Sequence, residues 1–178
     1  MAAGGDDGIY LGCEHLPTGF KFEEKDGDLF ACPETDSLAH CVSADLRMGK
    51  GIAVKFKNKF RSVEELKKQG KKIGQVAVLE RNKRFIYYLI TKAKATEKPT
   101  CGNLKASLED MKKHCVDNGV QTLAMPQLGC GLDSLEWKEV KTIICEVFAN
   151  TNIHITVYVL ESQKNYHVRI VHKEIVGE

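Results

Sequence analysis

Apolar residues along this chain follow two different spacings, which predict alternating strands and helices. Alternating or continuous apolar runs are typical of strands, whereas apolar positions three or four residues apart are typical of helices. The runs that predict strands cover residues 20–26, 37–42, 74–80, 84–91, 122–126 and 153–160. The stripes that predict helices lie at residues 52–60, 62–70, 104–119 and from 134 onward. This alternation predicts one α/β domain with helices on both faces of a mixed sheet.

Polar residues between these elements predict how the elements begin and connect. Ser62 and Glu65 form a capping-box pattern at the second helix, and Ser134 is placed to cap the last helix. The segment 81–83 separates two strand-like runs and favours a hairpin. Two helices and one antiparallel strand pair therefore have predicted starting points.

Two short segments rich in glycine, MGKGI at 48–52 and GCGL at 129–132, each precede a predicted helix. Glycine allows a backbone turn with positive φ and a close approach by another molecule. The start of a helix offers unpaired N–H groups and a partial positive charge. Two such sites in one domain suit the two phosphates of a diphosphate. Plain turns that precede capped helices explain either segment equally well when it is taken alone.

Composition and charge narrow the class of protein. The 178 residues carry a net charge of +2, too small to indicate nucleic-acid binding by itself. The seven cysteines are odd in number and include no C-x-x-C pair, which argues against a disulfide framework and a zinc site. We therefore expect a reducing compartment, no metal and no secretion. No signal peptide and no apolar run of membrane-spanning length is evident, so we expect no membrane partner.

Three longer segments, in this order, resemble the macrodomain family. They are GDLFACPETDSLAHCVSADLRMGKGIAVKFK at 27–57, YYLITKAKATEKPT at 87–100 and AMPQLGCGLDSLEW at 124–137. The resemblance covers residues 20–160 and implies a three-layer α/β/α fold with a central mixed sheet. It leaves residues 1–19 as a flexible N-terminal lead-in and residues 161–178 as a C-terminal extension. Within the family, the similarity is to hydrolases that remove mono- or terminal ADP-ribose ester-linked to protein glutamate or aspartate and that deacylate O-acyl-ADP-ribose.

The same resemblance implies which residues bind ADP-ribose. Asp28 and Leu29 would lie at the adenine end, the aspartate accepting a hydrogen bond and the leucine giving an apolar contact or a backbone amide. Phe30 would be a wall for the base or, equally well, part of the core. Ser43 would contact the ligand through its hydroxyl or backbone. The remaining binding residues implied are Gly49, Gly51 and Ile52 on one side of the diphosphate, Pro126, Gln127, Leu128, Gly129, Cys130, Gly131 and Leu132 on the other, and Leu160 near the adenosine.

Lys92 and Asp133 are the catalytic residues that the resemblance implies. An ester-linked ADP-ribose that opens at its distal ribose exposes a masked aldehyde, and a neutral lysine amine attacks that carbon to form a Schiff base. Asp133 would act as a general base for Lys92 or for a ribose hydroxyl. Other hydrolytic macrodomains position water with an asparagine-rich segment, which reads AHCVSAD here. Without those asparagines, a covalent route fits better than activation of water. On the residues alone, Lys92 reads as a surface lysine and Asp133 as a helix cap.

Three alternatives stay open at this stage. The first is a non-catalytic reader of ADP-ribose on the same fold. The second is a cysteine hydrolase in which His40 is the base and Cys130 the nucleophile, its pKa lowered by a helix start. The third is a nucleic-acid-binding module that uses the lysines clustered at 55–59 and 67–72, whose affinity would collapse with salt.

The resemblance also implies the biological setting. The expected partners are ADP-ribose, ADP-ribosylated proteins and poly(ADP-ribose), with no cofactor, no membrane and no specific nucleic acid. A monomer is expected, resident in the nucleoplasm, with the nucleolus and cytoplasm as further locations, and linked to the DNA damage response.

Overall fold

The structure is a computed structural model that describes residues 19–160. Apart from Gly19, the expected lead-in and the expected C-terminal extension lie outside these described residues. The strands are β1 Lys21–Asp26, β2 Ser37–Ser43, β3 Val76–Arg81, β4 Arg84–Lys92, β5 Thr122–Met125 and β6 His154–Val159. The α-helices are α1 Ile52–Phe60, α2 Val63–Lys68, α3 Cys101–Asp117 and α4 Trp137–Phe148, and a 3₁₀ turn covers Leu29–Ala31.

The six strands form one mixed sheet in the order β1-β6-β5-β2-β4-β3. Every neighbouring pair is parallel except β3 and β4, which pair in antiparallel register. The hairpin between β3 and β4 turns at Asn82 and Lys83, which have φ values of 51° and 65°. Two successive positive φ angles are typical of a turn that matches the twist of a hairpin, so that prediction is confirmed. Because β1, β2, β4, β5 and β6 run the same way, their carboxyl ends share one edge of the sheet.

Two buried clusters separate the faces of the sheet. One contains Leu104 of α3 and Val140 of α4, and the other contains Phe56 of α1 and Leu66 of α2. Residues of β4 alternate between the clusters, as successive side chains of a strand must. Helices therefore cover both faces of the sheet, and the predicted three-layer α/β/α architecture is confirmed.

Neither predicted serine makes a capping hydrogen bond, although Ser62 does occupy the N-cap position of α2. Ser62 has a φ of 59°, and its hydroxyl accepts a hydrogen bond from Arg81 at 2.6 Å instead of capping α2. Helix α4 begins at Trp137, with Glu136 at the N-cap position. Ser134 has a φ of 61° and lies within the loop before α4. In each case the left-handed backbone of the serine is unlike the extended conformation that a capping side chain needs.

Candidate active site

The candidate catalytic residues lie at the carboxyl edge of the sheet. Lys92 is the last residue of β4, and Asp133 lies in the loop between β5 and α4. Their side chains meet, with Lys92 Nζ donating to Asp133 Oδ1 at 2.6 Å. The two side chains are 13% and 20% exposed, so the pair is largely shielded but still accessible to solvent. A lysine and a carboxylate that are 41 positions apart in the sequence thus share one proton-transfer contact.

The surroundings of this pair are desolvated. Burial raises the pKa of the Cys41 thiol on β2, and the nearby charge of Asp133 raises it further. Cys41 also lies within hydrogen-bonding reach of the backbone at Gly129. A charge in such surroundings acts more strongly than one in water. The charges of Lys92 and Asp133 therefore attract each other with little screening by water.

The first glycine segment leads directly into α1. Gly51 is the N-cap residue, with a φ of 61°, and no side chain caps the helix. Gly49 and Lys50 are exposed, and Ile52 is half-buried. The start of α1 lies after β2 and therefore on the same side of the molecule as Lys92. Its position fits the predicted grip on a phosphate, which needs backbone N–H groups presented at a helix start.

The second glycine segment is held by its own packing and does not open a helix directly. Gly129 has a φ of 68°, and its carbonyl accepts a hydrogen bond from Leu135 N at 2.8 Å. Leu128 and Cys130 are buried, whereas Gly131 and Leu132 are exposed. Trp137 starts the following helix only five residues after Leu132. A ligand would meet Leu128 and Cys130 only through their backbone, whereas the side chain of Leu132 is itself accessible. Pro126 is buried and Gln127 half-buried at the base of the segment.

At the predicted adenine end, some side chains are already engaged. Asp28 Oδ1 accepts a hydrogen bond from Phe30 N at 3.0 Å. Leu29 is 2% exposed, so its side chain belongs to the core and only its backbone remains for a ligand. Phe30 packs edge-on against Phe56, with ring centroids 5.0 Å apart. Leu160 follows β6 and is half-buried.

Ser43 and Asp45 form a local cluster beside Lys92. Ser43 is buried, and its hydroxyl donates to Asp45 Oδ1. Ser43 therefore has its backbone, rather than a free hydroxyl, to offer a ligand. The sequence prediction did not include Asp45. This residue lies two positions beyond the end of β2, where the carboxylate of an aspartate commonly accepts local backbone N–H groups. That position is the signal that could have identified it.

The hypothesis of a cysteine nucleophile is wrong. Burial raises the pKa of the Cys130 thiol to about 12, the opposite of an activated cysteine. Complete burial lowers the pKa of His40 to about 3. The two side chains also lie on opposite faces of the sheet, because Cys130 belongs to one buried cluster and His40 stacks on Phe56 of the other. They cannot act together as a nucleophile and its base.

Residues 19–160 contain neither a metal-binding cluster nor a membrane-spanning helix. No group of three or more histidine, cysteine, aspartate or glutamate side chains there is arranged to hold a metal ion. No helix in that part of the chain is long and apolar enough to cross a membrane.

Comparison with known proteins gives consistent findings. The Macro domain family matches residues 39–144. The human ADP-ribose glycohydrolase OARD1 is 60% identical over 144 residues, which are 81% of this chain and 95% of that protein. Its Bos taurus counterpart is 63% identical over 134 residues, covering 75% of this chain and 88% of the relative. Among solved structures, the macrodomain of Thermus aquaticus DarG aligns with a TM-score of 0.70 at 25% identity, over 78% of this chain and 98% of that one.

Proposed function

This chain belongs to the Macro domain family and is a hydrolase, and on that premise we propose that it releases ADP-ribose from ester-linked carboxylate side chains through a covalent adduct on Lys92. The name shared by its human and bovine relatives, ADP-ribose glycohydrolase, supports the ADP-ribose part of the proposal. The covalent part rests on a single observation, the contact of 2.6 Å between Lys92 Nζ and Asp133 Oδ1.

That contact places a base beside the amine. An ionised carboxylate at this distance favours the ammonium form, so Asp133 assists only by accepting the proton during the reaction. A protonated amine has no lone pair to attack with, so a base must first take its proton. Asp133 lies within the distance of about 3 Å that direct proton transfer requires. As an ion pair alone, this largely shielded contact would add little net stability, because the cost of desolvating both charges offsets their attraction. The pair lies where the ligand-binding edge of the sheet predicts chemistry rather than structural support.

In the proposed reaction, Asp133 accepts a proton from the Lys92 ammonium. The neutral amine attacks C1″ of the distal ribose, the C1″–N bond forms, and the C1″–O bond breaks with its electron pair leaving on the glutamate or aspartate carboxylate. The ribose ring of the resulting adduct opens to a Schiff base. Water then adds to C1″, its released proton neutralises the departed carboxylate, and the C1″–N bond breaks to release ADP-ribose. The amine of Lys92 takes back the proton held by Asp133, which restores the starting pair. The sum is one ester and one water converted to one carboxylic acid and one ADP-ribose.

The two glycine segments would hold the rest of the ligand. The uncapped start of α1 at Gly51 would face one phosphate, and the exposed backbone around Gly131 would face the other. Asp28 and Phe30 would lie at the adenine end, and Leu160 near the adenosine. This arrangement would direct the distal ribose toward Lys92. An ester on that ribose, as in O-acyl-ADP-ribose, would then lie within reach of Asp133 acting as a general base on water.

The substrates of this reaction would be ADP-ribosylated proteins. We also propose binding of poly(ADP-ribose) termini, a monomeric state and residence in the nucleus. A fluorescent fusion and sedimentation analysis would test the last two points directly.

A turnover assay tests the proposal. A peptide that carries ADP-ribose on glutamate should release ADP-ribose with the unaltered chain and should not do so with Lys92→Ala. ADP-ribose itself should still bind the Lys92→Ala variant, because the glycine segments carry the affinity. Full turnover by Lys92→Ala would refute the covalent route. Binding without any turnover by the unaltered chain would identify a non-catalytic reader instead.

A further inference from the structure

Asp45 accepts hydrogen bonds from two segments of the candidate site. One follows β2 and leads to the glycine segment at 48–52, and the other follows Lys92 at the end of β4. Asp45 Oδ1 accepts hydrogen bonds from the Ser43 hydroxyl and from Arg47 N, the latter at 3.2 Å. Its Oδ2 accepts a hydrogen bond from Ala95 N at 3.1 Å, across 50 positions of sequence. One carboxylate thus joins the segment after β2 to the segment after β4.

The backbone reinforces this junction. Ala44 N donates to Lys92 O at 2.8 Å, and Asp45 N donates to Ala93 O at 3.2 Å. The pairing of β2 with β4 therefore continues past the irregularity between Val42 and Ser43, up to and beyond Lys92. The position of the Lys92 backbone is set by the same short segment that contains Asp45.

The other side of the junction leads to the first glycine segment. Arg47, whose N–H is bonded to Asp45, is followed by the buried side chain of Met48 and then by Gly49. Lys57 of α1 donates to Arg47 O at 3.3 Å, which connects this turn to the helix that Gly51 starts. The path from Asp45 to the predicted phosphate grip is therefore short and hydrogen-bonded.

The ionised form of Asp45 is the one that this arrangement stabilises. Burial opposes its charge, but the hydrogen bonds from Ser43, Ala95 and Arg47 outweigh that effect and lower the pKa of the carboxyl below its ordinary value. A charged acceptor makes hydrogen bonds roughly twice as strong as a neutral one. Asp45 is thus suited to hold three donors in place at neutral pH.

We propose that Asp45 is a positioning residue that sets the placement of Lys92 relative to the diphosphate grip, so that a ligand held by its phosphates presents C1″ to the amine. This inference rests on the proposed function. Among the described residues, Lys92 Nζ is bonded to Asp133 and not to Asp45. The contribution of Asp45 is alignment, and a misplacement of about 1 Å at a reacting centre can cost on the order of 100-fold in rate.

The test compares Asp45→Ala and Asp45→Asn with the matched control Asp110→Asn. Asp110 also accepts one backbone N–H, that of Val76 at 2.9 Å, but it lies on α3 against the outer strand β3. Each variant is assayed for kcat and KM on the ADP-ribosyl-glutamate peptide, for ADP-ribose affinity by calorimetry, and for thermal unfolding. Lys92 is also treated with glycolaldehyde and cyanoborohydride, and its alkylation is measured by mass spectrometry of the peptide that contains it. Because glycolaldehyde has no phosphate, this labelling measures the reactivity of the amine independently of phosphate binding.

If Asp45 acts by aligning Lys92 with the bound ligand, its loss should affect kcat far more than KM. Asp45→Ala should lower kcat by about 10- to 100-fold, while KM and the affinity for ADP-ribose change far less. Asp45→Asn, which keeps one acceptor oxygen, should fall between Asp45→Ala and the unaltered chain. Labelling of Lys92 by glycolaldehyde should be the same in all variants, and Asp110→Asn should retain the kcat of the unaltered chain.

The contrary results are distinct. An unchanged kcat in Asp45→Ala, with turnover intact in the unaltered chain, would overturn the inference and leave the proposed function standing. Equal losses of turnover and of glycolaldehyde labelling would also overturn it, because Asp45 would then act on the amine itself. No turnover by the unaltered chain would overturn the proposed function and this inference with it.

Discussion

Lys92 and Asp133 show how a single pair of residues can carry a reaction. Each side chain alone is ordinary, and each is common on protein surfaces. Their value comes from the contact at the carboxyl edge, where one is a nucleophile and the other its base. At the residue scale, the loss of Lys92 should therefore abolish turnover, whereas the loss of the Asp133 carboxylate should slow it.

Asp133→Asn should remove the base and leave the amine. Because an amide cannot accept the proton of Lys92, turnover of the ADP-ribosyl-glutamate peptide should fall by about 10²- to 10⁴-fold. ADP-ribose should still bind, since the glycine segments are unchanged. Asp117→Asn, at the end of α3 and away from the site, is the control and should keep full turnover. Equal activity in Asp133→Asn and the control would show that Asp133 has no part in the chemistry.

His40 makes a second prediction at this scale, on stability against pH. Its ring stacks on Phe56 at 3.7 Å between centroids, and within residues 19–160 neither ring nitrogen has a hydrogen-bond partner. Burial lowers its pKa from 6.5 to about 3 in the folded chain. The unfolded chain therefore binds a proton below pH 6.5 that the folded chain does not, so stability falls as the pH drops from 6.5 toward 3. The slope should be roughly 1 kcal/mol per pH unit.

Denaturant unfolding between pH 4.5 and 6.5 would measure this effect. His40→Leu, of similar volume and without an ionisable group, should flatten the dependence on pH in that window. The titration of His114 and of the carboxylates is common to both proteins and cancels in the comparison. An equally steep loss of stability in His40→Leu would contradict the account.

Among the elements, the loop from β5 to α4 is the one whose shape matters most for chemistry, because it carries Asp133. Its conformation depends on Gly129, which has a φ of 68°. A Cβ at Gly129 would lie 2.7 Å from Leu135 Cδ1 and 3.3 Å from its Cγ. No heavy atom outside its neighbours lies within 4 Å of a Cβ at Gly131.

Gly129→Ala should therefore destabilise the chain by about 1–3 kcal/mol, from backbone strain and the displacement of Leu135. Gly131→Ala, two residues further on, should leave the free energy of unfolding nearly unchanged. Chemical denaturation of both variants measures the difference. Equal stabilities would mean that the loop does not need the left-handed turn at Gly129.

The element scale also shows what patterns along a sequence can and cannot predict. The stripe of Ile52, Phe56 and Phe60 predicts α1, because a buried helix face repeats every three or four residues. The caps at Ser62 and Ser134 fail, because the choice between capping and another partner is made by tertiary contacts. Ser62 meets Arg81, which arrives from another element 19 positions away.

Across the whole molecule, topology explains how distant residues reach one site. Parallel strands deliver Asp28, Ser43, Lys92 and the segments after β5 and β6 to a common edge, and the alternation of strands with helices predicts that grouping. The register that brings Lys92 within 2.6 Å of Asp133 was not predictable from spacing, nor was the burial of Leu29. Both depend on how the strands slide and how the loops pack, which the alternation of apolar residues does not encode.

The central claim is that Lys92 becomes covalently attached to the ribose. The most direct test is to mix the chain with an ADP-ribosyl-glutamate peptide, quench the reaction with borohydride, digest the protein and analyse it by mass spectrometry. The account predicts a reduced ADP-ribose adduct on the peptide that contains Lys92, and none with Lys92→Ala. Robust turnover without any trapped adduct on Lys92 would contradict it and would assign the reaction to attack by water.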